Sequence, residues 1–284
     1  MSRRPGPSVR VPVVRLGDRV GAGRIDRVVG EEPLQIRMIA GPPSADGPRA
    51  DVAITLRTPG HDFELAAGFL FAEGLLRARD DLIAIRYCAE VPAEQRYNVV
   101  HVHVRGDALP DLAKLERHFT VHSACGVCGK AHLDALEVRC DRPLPTGPEV
   151  PLAVLLGLPD ALRAGQALFE STGGLHAAGA FAPDGRALAV REDVGRHNAF
   201  DKLLGWALLE GVDLEGALAC VSGRASYELL QKAVAGRFTV FAAVSAPSSM
   251  AIDVARRFGV TLAGFVRGGG CSVYAGAQRV ASGG

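Results

Sequence analysis

The chain has 284 residues, of which 48% are hydrophobic and 22% charged, enough for one large or two modest globular domains. The net charge of +1 gives no sign of a nucleic-acid-binding or membrane-surface protein, and no apolar run is long enough to cross a bilayer. The basic N-terminus lacks a secretory apolar segment, and six cysteines are few for this length. We therefore expect a cytoplasmic protein without structural disulfides.

The N-terminal half has the pattern of an α+β domain. Residues 1–27 are rich in Pro, Arg and Gly and are predicted to form a flexible tail. "PLQIRMIAG" and "DVAITLRTPG" alternate like a hairpin, and "DLIAIRYCAE" and "YNVVHVHVRG" also alternate like strands. "HDFELAAGFLFAEGLLRA" has helical periodicity with Asp62 as the expected cap, and "LPDLAKLERHF" is predicted to be a short helix. This domain is expected to span 28–142.

The C-terminal half has the pattern of an α/β domain, expected over 148–284 after the proline-rich linker "DRPLPTGPEVP". "LAVLLGLPDALRAGQALF" is predicted to be helical, and "LHAAGAFAPDGRALAVRED" a hairpin around a Pro-Asp-Gly turn. From "HNAFDKLLGWALLEG" onward, helices alternate with the buried strands "ALACVSG", "FTVFAAVS" and "TLAGFVRGGG". This alternation predicts parallel strands with crossover helices.

Small, polar and cationic residues follow four of these strands, in "REDVGRHN", "SGRAS", "SAPSS" and "RGGGCS". Each loop alone is better explained by helix caps, turn glycines and solvated arginines than by a ligand site. Four such loops at one sheet edge favour a site, because ligands of α/β sheets bind beyond the strand ends. Serine-capped helix N-termini, glycines and arginines together predict an anionic, phosphorylated ligand. The candidate residues are Arg191, Arg196, His197, Ser222, Gly223, Arg224, Ser245, Ser248, Arg267, Gly268, Gly269 and Gly270.

The stretch "VHSACGVCGK" contains a close cysteine pair, Cys125 and Cys128, which has three interpretations. A structural zinc site usually needs four ligands, and the sequence has no second C-x-x-C pair, so neighbouring histidines would have to complete it. The zinc deaminase signature is also absent. A redox dithiol is possible chemically, but the glycine-rich loop is unlike a thioredoxin context. A sulfur carrier needs an exposed thiolate on a loop with backbone freedom, which Gly126 and Gly129 provide. Loop chemistry alone leaves the last two interpretations open.

Taken together, the motifs resemble those of the FdhD-type formate dehydrogenase accessory sulfurtransferases. The shared stretches include "EEPLQIR", "LRTPGHDFELAAGFLFAEGLL", "SACGVCGK", "FESTGGLHAA", "REDVGRHNAFDK", "SGRASYELLQKA", "SAPSSMAIDVA" and "GFVRGGGCSVYAG". They occur in family order from about Glu31 to the end, and the combination of C-x-x-C with "REDVGRHNAFDK" is highly specific.

The resemblance implies a function that composition does not show. Such proteins accept sulfur from a cysteine desulfurase as a protein-bound persulfide. They pass it to a molybdenum or tungsten bis-molybdopterin guanine dinucleotide cofactor, before that cofactor enters the formate dehydrogenase apoenzyme. By this resemblance Cys125 carries the persulfide and Cys128 is the second thiol. The cofactor, of which a guanine nucleotide is a partial mimic, is expected at Phe265, Val266, Arg267, Gly268, Gly269 and Gly270.

The resemblance also implies a homodimer and a three-layer C-terminal domain similar to cytidine deaminases but without their zinc, beside a smaller α+β N-terminal domain. Three positions depart from the family pattern. Ser272 stands where asparagine is more usual, Cys271 is an extra thiol, and His122 precedes the cysteine pair. A chaperone that binds the cofactor without transferring sulfur, and a dithiol oxidoreductase, are the alternative functions.

Overall fold

The computed structural model describes residues 4–14, 16, 24–44, 47–110 and 143–281. The predicted mixture of strands and helices is confirmed. The strands are β1 (Ser8–Val13), β2 (Arg24–Val29), β3 (Glu32–Ala40), β4 (Arg49–Arg57), β5 (Leu82–Tyr87), β6 (Val99–Val104), β7 (Val150–Pro151), β8 (His176–Phe181), β9 (Ala187–Asp193), β10 (Leu218–Val221), β11 (Val240–Ala243), β12 (Thr261–Arg267), β13 (Gly270–Ala275) and β14 (Val280–Ala281).

The described helices are α1 (Asp62–Ala72), α2 (Leu152–Ala164), α3 (Ala167–Thr172), α4 (Arg196–Glu210), α5 (Tyr227–Ala235) and α6 (Ser249–Phe258). Short 3-10 turns lie at Arg79–Asp81, Ala93–Gln95 and Ala277–Arg279. No helix of the described residues combines the length and apolar character needed to cross a membrane.

The N-terminal sheet has the strand order β4-β3-β6-β5. β3 and β4 pair antiparallel, as predicted, whereas β3 and β6 pair parallel. Because side chains alternate across a strand, Leu34, Ile36 and Met38 share one face and pack with α1 in a buried core. The opposite face of the sheet carries polar side chains, including two histidines of β6.

The C-terminal sheet has the order β13-β12-β11-β10-β8-β9. Strands β10, β11 and β12 are parallel, which confirms the prediction from the alternating pattern. Helix α2 packs against one face through Leu155, Leu158 and Leu162, and helices α4, α5 and α6 cover the other. The specific likeness to cytidine deaminases, and the domain boundaries at 142 and 148, stay predictions.

The tail predicted for residues 1–27 is wrong where β1 and β2 form an antiparallel hairpin. Alternating Val and Arg residues in "SVRVPV" fit a strand, but the partner strand begins only at Arg24, so composition alone concealed the pairing. Strand β13 was also not predicted, since glycines and small residues dominate its start.

Helix boundaries differ from the predictions at two places. Asp62 is not the cap of α1, because its carboxylate binds the buried Arg57 guanidinium at 3.0 and 3.1 Å, and His61 occupies the cap position. The predicted helix from Leu152 to Phe169 is divided at Gly165 and Gln166 into α2 and α3. The helix predicted for "LPDLAKLERHF" lies almost entirely outside the described residues.

Helices α1 and α4 connect the two sheets through an unusually close backbone contact. Gly68 of α1 lies against the backbone of Asp201 and Gly205, and Gly205 of α4 lies against the backbone of Glu64 and Gly68. A Cβ atom on either glycine would overlap these main-chain atoms, which cannot move aside as a flexible side chain could. The two glycines therefore set the distance between the helices, despite the low helix propensity of glycine.

We predict that Gly68→Ala lowers the free energy of unfolding by about 1–3 kcal/mol, because overpacking forces the helices apart. Gly157→Ala is the matched control, since Gly157 is exposed in α2 and a Cβ there meets no described atom within 4 Å. That control should gain roughly 0.5–1 kcal/mol from helix propensity. Urea unfolding followed by circular dichroism measures both. Equal stabilisation by the two substitutions would show that the helices are not in backbone contact.

Candidate functional site

Four strands of the C-terminal sheet end on the same edge. Strand β8 is antiparallel to both β9 and β10, so β9 runs in the direction of β10, β11 and β12. The loops after these four strands therefore meet at one edge, as the sequence predicted. Strand β8 begins at this edge, where His176 pairs with Asp193.

Hydrogen bonds join the start of β8 to the loops after β10 and β11 and to the end of β12. The Ser222 hydroxyl accepts from Ala177 N at 2.9 Å, and Ser222 N donates to Ala177 O at 3.1 Å. Ser245 N donates to Gly223 O at 3.4 Å, and Phe265 N donates to Ser245 O at 3.2 Å. The neighbouring loops are therefore fixed relative to one another beyond the ends of the strands.

Two helices begin at this edge. Ser226 is the N-cap of α5, and Ser248 is the N-cap of α6, where its hydroxyl accepts from Ala251 N at 3.2 Å. Both caps follow a strand of the parallel set, so the positive ends of both helix dipoles face the loops. Free backbone N–H groups at such ends bind anions.

The turn between β12 and β13 has left-handed backbone geometry. Gly268 and Gly269 have φ angles of 58° and 77°, which a side chain would strain, so glycine is required there. Phe265 also has a positive φ, 53°, which is uncommon for a bulky residue, and its side chain is 38% exposed. The Arg267 guanidinium carbon lies 5.8 Å from the centre of the Phe265 ring.

A polar cluster lies beside the caps. His197 Nε2 is 3.1 Å from Glu228 Oε2 and 3.3 Å from the Ser226 hydroxyl. The His197 hydrogen bond lowers the pKa of Glu228 to about 2, so this carboxylate is ionised at neutral pH. Burial, with Arg196 and His197 nearby, lowers the pKa of His176, which keeps its imidazole neutral.

The arginines predicted for this site differ in their surroundings. Arg224 and Arg267 are exposed at the edge. The buried Nε of Arg196 has no hydrogen-bond partner among the described residues, whereas Arg191 forms a bidentate pair with Glu64 at 2.6 and 2.9 Å. Arg191 is therefore held within the fold, and its charge is already balanced. Val266 is fully buried in the core against α2, so only its main chain can face a ligand.

Sequence reasoning missed two polar residues of the edge, His176 and Glu228. A signal for His176 was available, because the first residue of β8 must lie at the edge where its hairpin partner β9 ends. Glu228 follows the cap of α5 by two residues and carried no comparable signal. Cys271, singled out as an extra thiol, is partly buried beside the α2 core, and burial raises its pKa.

Asp193 fixes the turn that leads into α4, whose first residues are Arg196 and His197. Its buried carboxylate accepts from Thr58 N at 3.1 Å and from Gly195 N at 2.9 Å, and it pairs with Lys202 at 2.7 Å. Asp193 is fully buried, and 2% of the Lys202 side chain is exposed. The described residues contain no group of three or more His, Cys, Asp or Glu side chains placed to hold a metal ion.

Cys125 and Cys128 lie outside the described residues. The described part of the candidate site is therefore the binding surface: exposed arginines, small loops, two helix N-termini and a glycine turn. This combination can bind an anionic ligand such as a phosphate or pyrophosphate group.

Comparisons with known proteins show what the chain is similar to. The model of the FdhD/NarQ family matches residues 30–281. A protein named sulfur carrier protein FdhD from Streptomyces coelicolor is 50% identical over 278 residues, covering 96% of this chain and 95% of the relative. Proteins of that name from Nocardia farcinica and Mycobacterium tuberculosis are 46% and 43% identical, covering 97% and 90% of this chain and 95% and 92% of the relatives.

The fold is similar to the crystal structure of a candidate formate dehydrogenase accessory protein from Desulfotalea psychrophila. The TM-score is 0.72 at 22% sequence identity, and the match covers 96% of this chain and 99% of that protein. At this identity the likeness concerns the fold.

We predict that Asp193→Asn lowers the free energy of unfolding by about 3–5 kcal/mol, because it leaves Lys202 buried and charged without its partner. Asp160→Asn, on the exposed side of α2, makes the same chemical change and should stay within about 0.5 kcal/mol of the parent protein. Urea unfolding of both variants tests this. Similar free energies of unfolding for the two variants would mean that the Asp193–Lys202 pair does not stabilise this part of the fold.

Proposed function

Because the chain belongs to the FdhD/NarQ family, we propose that it is a sulfur carrier for the maturation of formate dehydrogenase. The proposed cargo is one sulfur atom, taken from a cysteine desulfurase and delivered to the bis-molybdopterin guanine dinucleotide cofactor, which is the substrate. The protein is expected to act as a homodimer.

The convergence of the four loops at one sheet edge is the observation that supports this function best. A guanine dinucleotide carries pyrophosphate groups, and two helix N-termini with exposed Arg224 and Arg267 suit such a ligand. The exposed Phe265 ring offers a flat apolar surface beside them, of the kind on which a guanine base stacks.

The first chemical step is proposed at Cys125. Its thiolate attacks the outer sulfur of the donor persulfide, a new S–S bond forms on Cys125, and the donor cysteine leaves as a thiolate. The step exchanges one S–S bond for another, so no external oxidant or reductant is needed. Lys130 follows the cysteine pair in the sequence and favours the thiolate form of a nearby cysteine.

Release of the sulfur requires two electrons, which we assign to Cys128. Attack of the Cys128 thiolate on the inner sulfur of the Cys125 persulfide forms the Cys125–Cys128 disulfide and expels the outer sulfur as hydrosulfide for the metal centre. A cellular thiol reductant then restores both thiols. The spacing of the pair, with two residues between the cysteines, suits such a disulfide.

A chaperone that binds the cofactor without transferring sulfur is the alternative that the same sheet edge supports. The two functions differ in whether the cysteines are needed. A dithiol oxidoreductase would need the cysteines but not the nucleotide-binding edge.

We predict that Cys125→Ala abolishes the maturation of active formate dehydrogenase but leaves guanine nucleotide binding intact, since the thiol and the binding edge have separate tasks. Mass spectrometry after incubation with a cysteine desulfurase and cysteine should show one added sulfur on the Cys125 peptide of the parent protein and none on the variant. Cys271→Ser is the thiol control and should mature the enzyme normally. Full activity with Cys125→Ala would favour the chaperone.

We predict that Arg267→Ala weakens binding of guanosine diphosphate by roughly 10- to 150-fold, the equivalent of losing one charged hydrogen bond worth about 1.5–3 kcal/mol. Arg256→Ala is the matched control, because Arg256 is exposed in the last turn of α6, away from the cap at Ser248. Isothermal titration calorimetry measures both affinities. An unchanged affinity for Arg267→Ala would place the nucleotide elsewhere.

A further inference from the structure

A cavity of about 290 Å³ lies on the N-terminal sheet, on the face away from α1. We call it the histidine cavity. Its lining includes Ile39, Pro43, Arg49, Arg86, His101 and His103. The volume is at the lower end of the range for small-molecule sites, so it suits a small ligand. The cavity belongs to a different sheet from the candidate cofactor edge.

The two histidines of the cavity are buried without complete hydrogen bonding. His101 is 4% exposed and His103 is 1% exposed, and their ring centres are 6.4 Å apart. Both Nε2 atoms are buried, and neither has a hydrogen-bond partner among the described residues. Because buried polar groups in native proteins are almost always paired, two such atoms in one cavity point to a bound molecule.

The charges around the cavity favour an anion over a metal ion. Among the described residues, Arg49 and Arg86 line the cavity together with one carboxylate, Glu90. Arg37 also lies near His101, and its charge is paired with Asp51. The excess of positive charge opposes binding of a divalent cation between the histidines and attracts an anion.

The hydrogen bonding of His103 narrows the ligand class further. His103 Nδ1 lies 3.2 Å from Gly41 O, and a carbonyl oxygen only accepts, so Nδ1 carries the proton. In a neutral ring, Nε2 is then an acceptor and needs a donor from the ligand. The arginines need an acceptor, and His103 Nε2 needs a donor. An anion with an O–H group supplies both, since its oxygens accept from arginine and its hydroxyl donates to His103.

We propose that the histidine cavity binds a small oxyanion that retains an O–H group at neutral pH, such as hydrogen phosphate. Arg49 and Arg86 bind the charged oxygens, His101 Nε2–H donates to another, and His103 Nε2 accepts from the hydroxyl. The proposed ligand is the free anion, because a phosphate monoester loses its last P–O–H proton near about pH 6 and then has no hydroxyl on phosphorus to donate to His103. This site is independent of the proposed sulfur transfer.

The pH dependence of binding follows from the groups facing the histidines. These groups are Arg37, Arg49, Asp51, Arg86 and Glu90, with each imidazole facing the other. Burial and the neighbouring arginines lower the pKa of His101, and burial lowers that of His103, so both rings are neutral in the free protein at pH 7. A bound anion raises these pKa values, so binding takes up protons and strengthens as the pH falls.

Sulfate provides the sharpest test, because it has the shape of phosphate but no O–H group at neutral pH. Calorimetry at pH 8 should show phosphate binding roughly tenfold or more tighter than sulfate, the effect of one charged hydrogen bond. The difference between the two affinities should shrink toward pH 6, because protonated His103 can donate to sulfate. The affinity for sulfate should rise by up to roughly tenfold per pH unit for each proton taken up on binding. Equal affinities at pH 8 would refute the acceptor role of His103.

Three variants assign the location. His103→Asn keeps a donor for Gly41 O but removes the Nε2 atom. Arg86→Met removes a charge on an exposed side chain, so this variant should fold even if His103→Asn does not. Each should weaken phosphate binding at least tenfold. Arg186→Met, an exposed change in the β8–β9 turn, should not affect it. Unfolding curves of all variants show that the native fold is retained.

The remaining outcomes separate this site from the cofactor edge. Phosphate binding that persists in Arg267→Ala but is lost in Arg86→Met supports the histidine cavity, and the reverse result overturns it. Absence of phosphate binding at millimolar concentration, or binding of Zn²⁺ that depends on His103, also overturns it. Methyl phosphate carries no O–H group at pH 8, so it should bind as weakly as sulfate, and binding as tight as that of inorganic phosphate would overturn the role given to the O–H group.

Discussion

The contact between the two halves of the chain depends on a buried ionic layer. Arg57 and Asp62 pair beside α1, both nearly inaccessible to water, and Lys202 pairs with Asp193 on the other side of the same contact. Thr58 follows Arg57 in the chain and binds the second pair, since its N–H donates to Asp193 and its carbonyl accepts from Lys202 at 2.9 Å. Charges removed from water in this way are stable only while each keeps its partner. The layer therefore specifies one arrangement of α1 against α4.

This layer reaches the candidate cofactor edge directly. Val194 N donates to the Thr58 hydroxyl, and the Asn198 side chain donates to Leu56 O, so the start of α4, with Arg196 and His197, is fixed by the N-terminal half. The rigid edge contrasts with the task proposed for the cysteine pair, which must reach both a donor and an acceptor. In the proposed function, the cofactor surface and the sulfur-bearing cysteines therefore have different tasks.

The molecule also has two anion-attracting regions of different construction. The sheet edge offers helix N-termini, exposed arginines and a glycine turn, which suit pyrophosphate groups on a large ligand. The histidine cavity is small and has buried imidazoles between arginines, which suit a compact anion and make its binding sensitive to pH. The first region was visible in the sequence because turn residues follow strands. The second was not, because alternating "VHVHV" gives the same pattern as any half-buried strand.

By itself, the sequence determined the class of fold and the position of the edge. Hydrophobic patterns located β3 to β6, β8 to β12 and the helices of the C-terminal half, except for the division of α2 from α3. The residues after β9, β10, β11 and β12 marked the loops that meet there. These features are local, since side-chain period and turn chemistry act within a few residues. The family resemblance, carried by ordered motifs, supplied the function that local physics could not.

Only the tertiary structure decided which of the predicted site residues are available to bind a ligand. Arg191 and Glu64 are 127 positions apart in the chain, so nothing in the sequence near either one shows that they neutralise each other. The same holds for the β1–β2 hairpin, for His176 beside Gly223, and for the backbone contact of Gly68 with Gly205. Each of these contacts forms only when distant segments pack together. Its contribution to stability depends on burial and the loss of water, which the local sequence does not show.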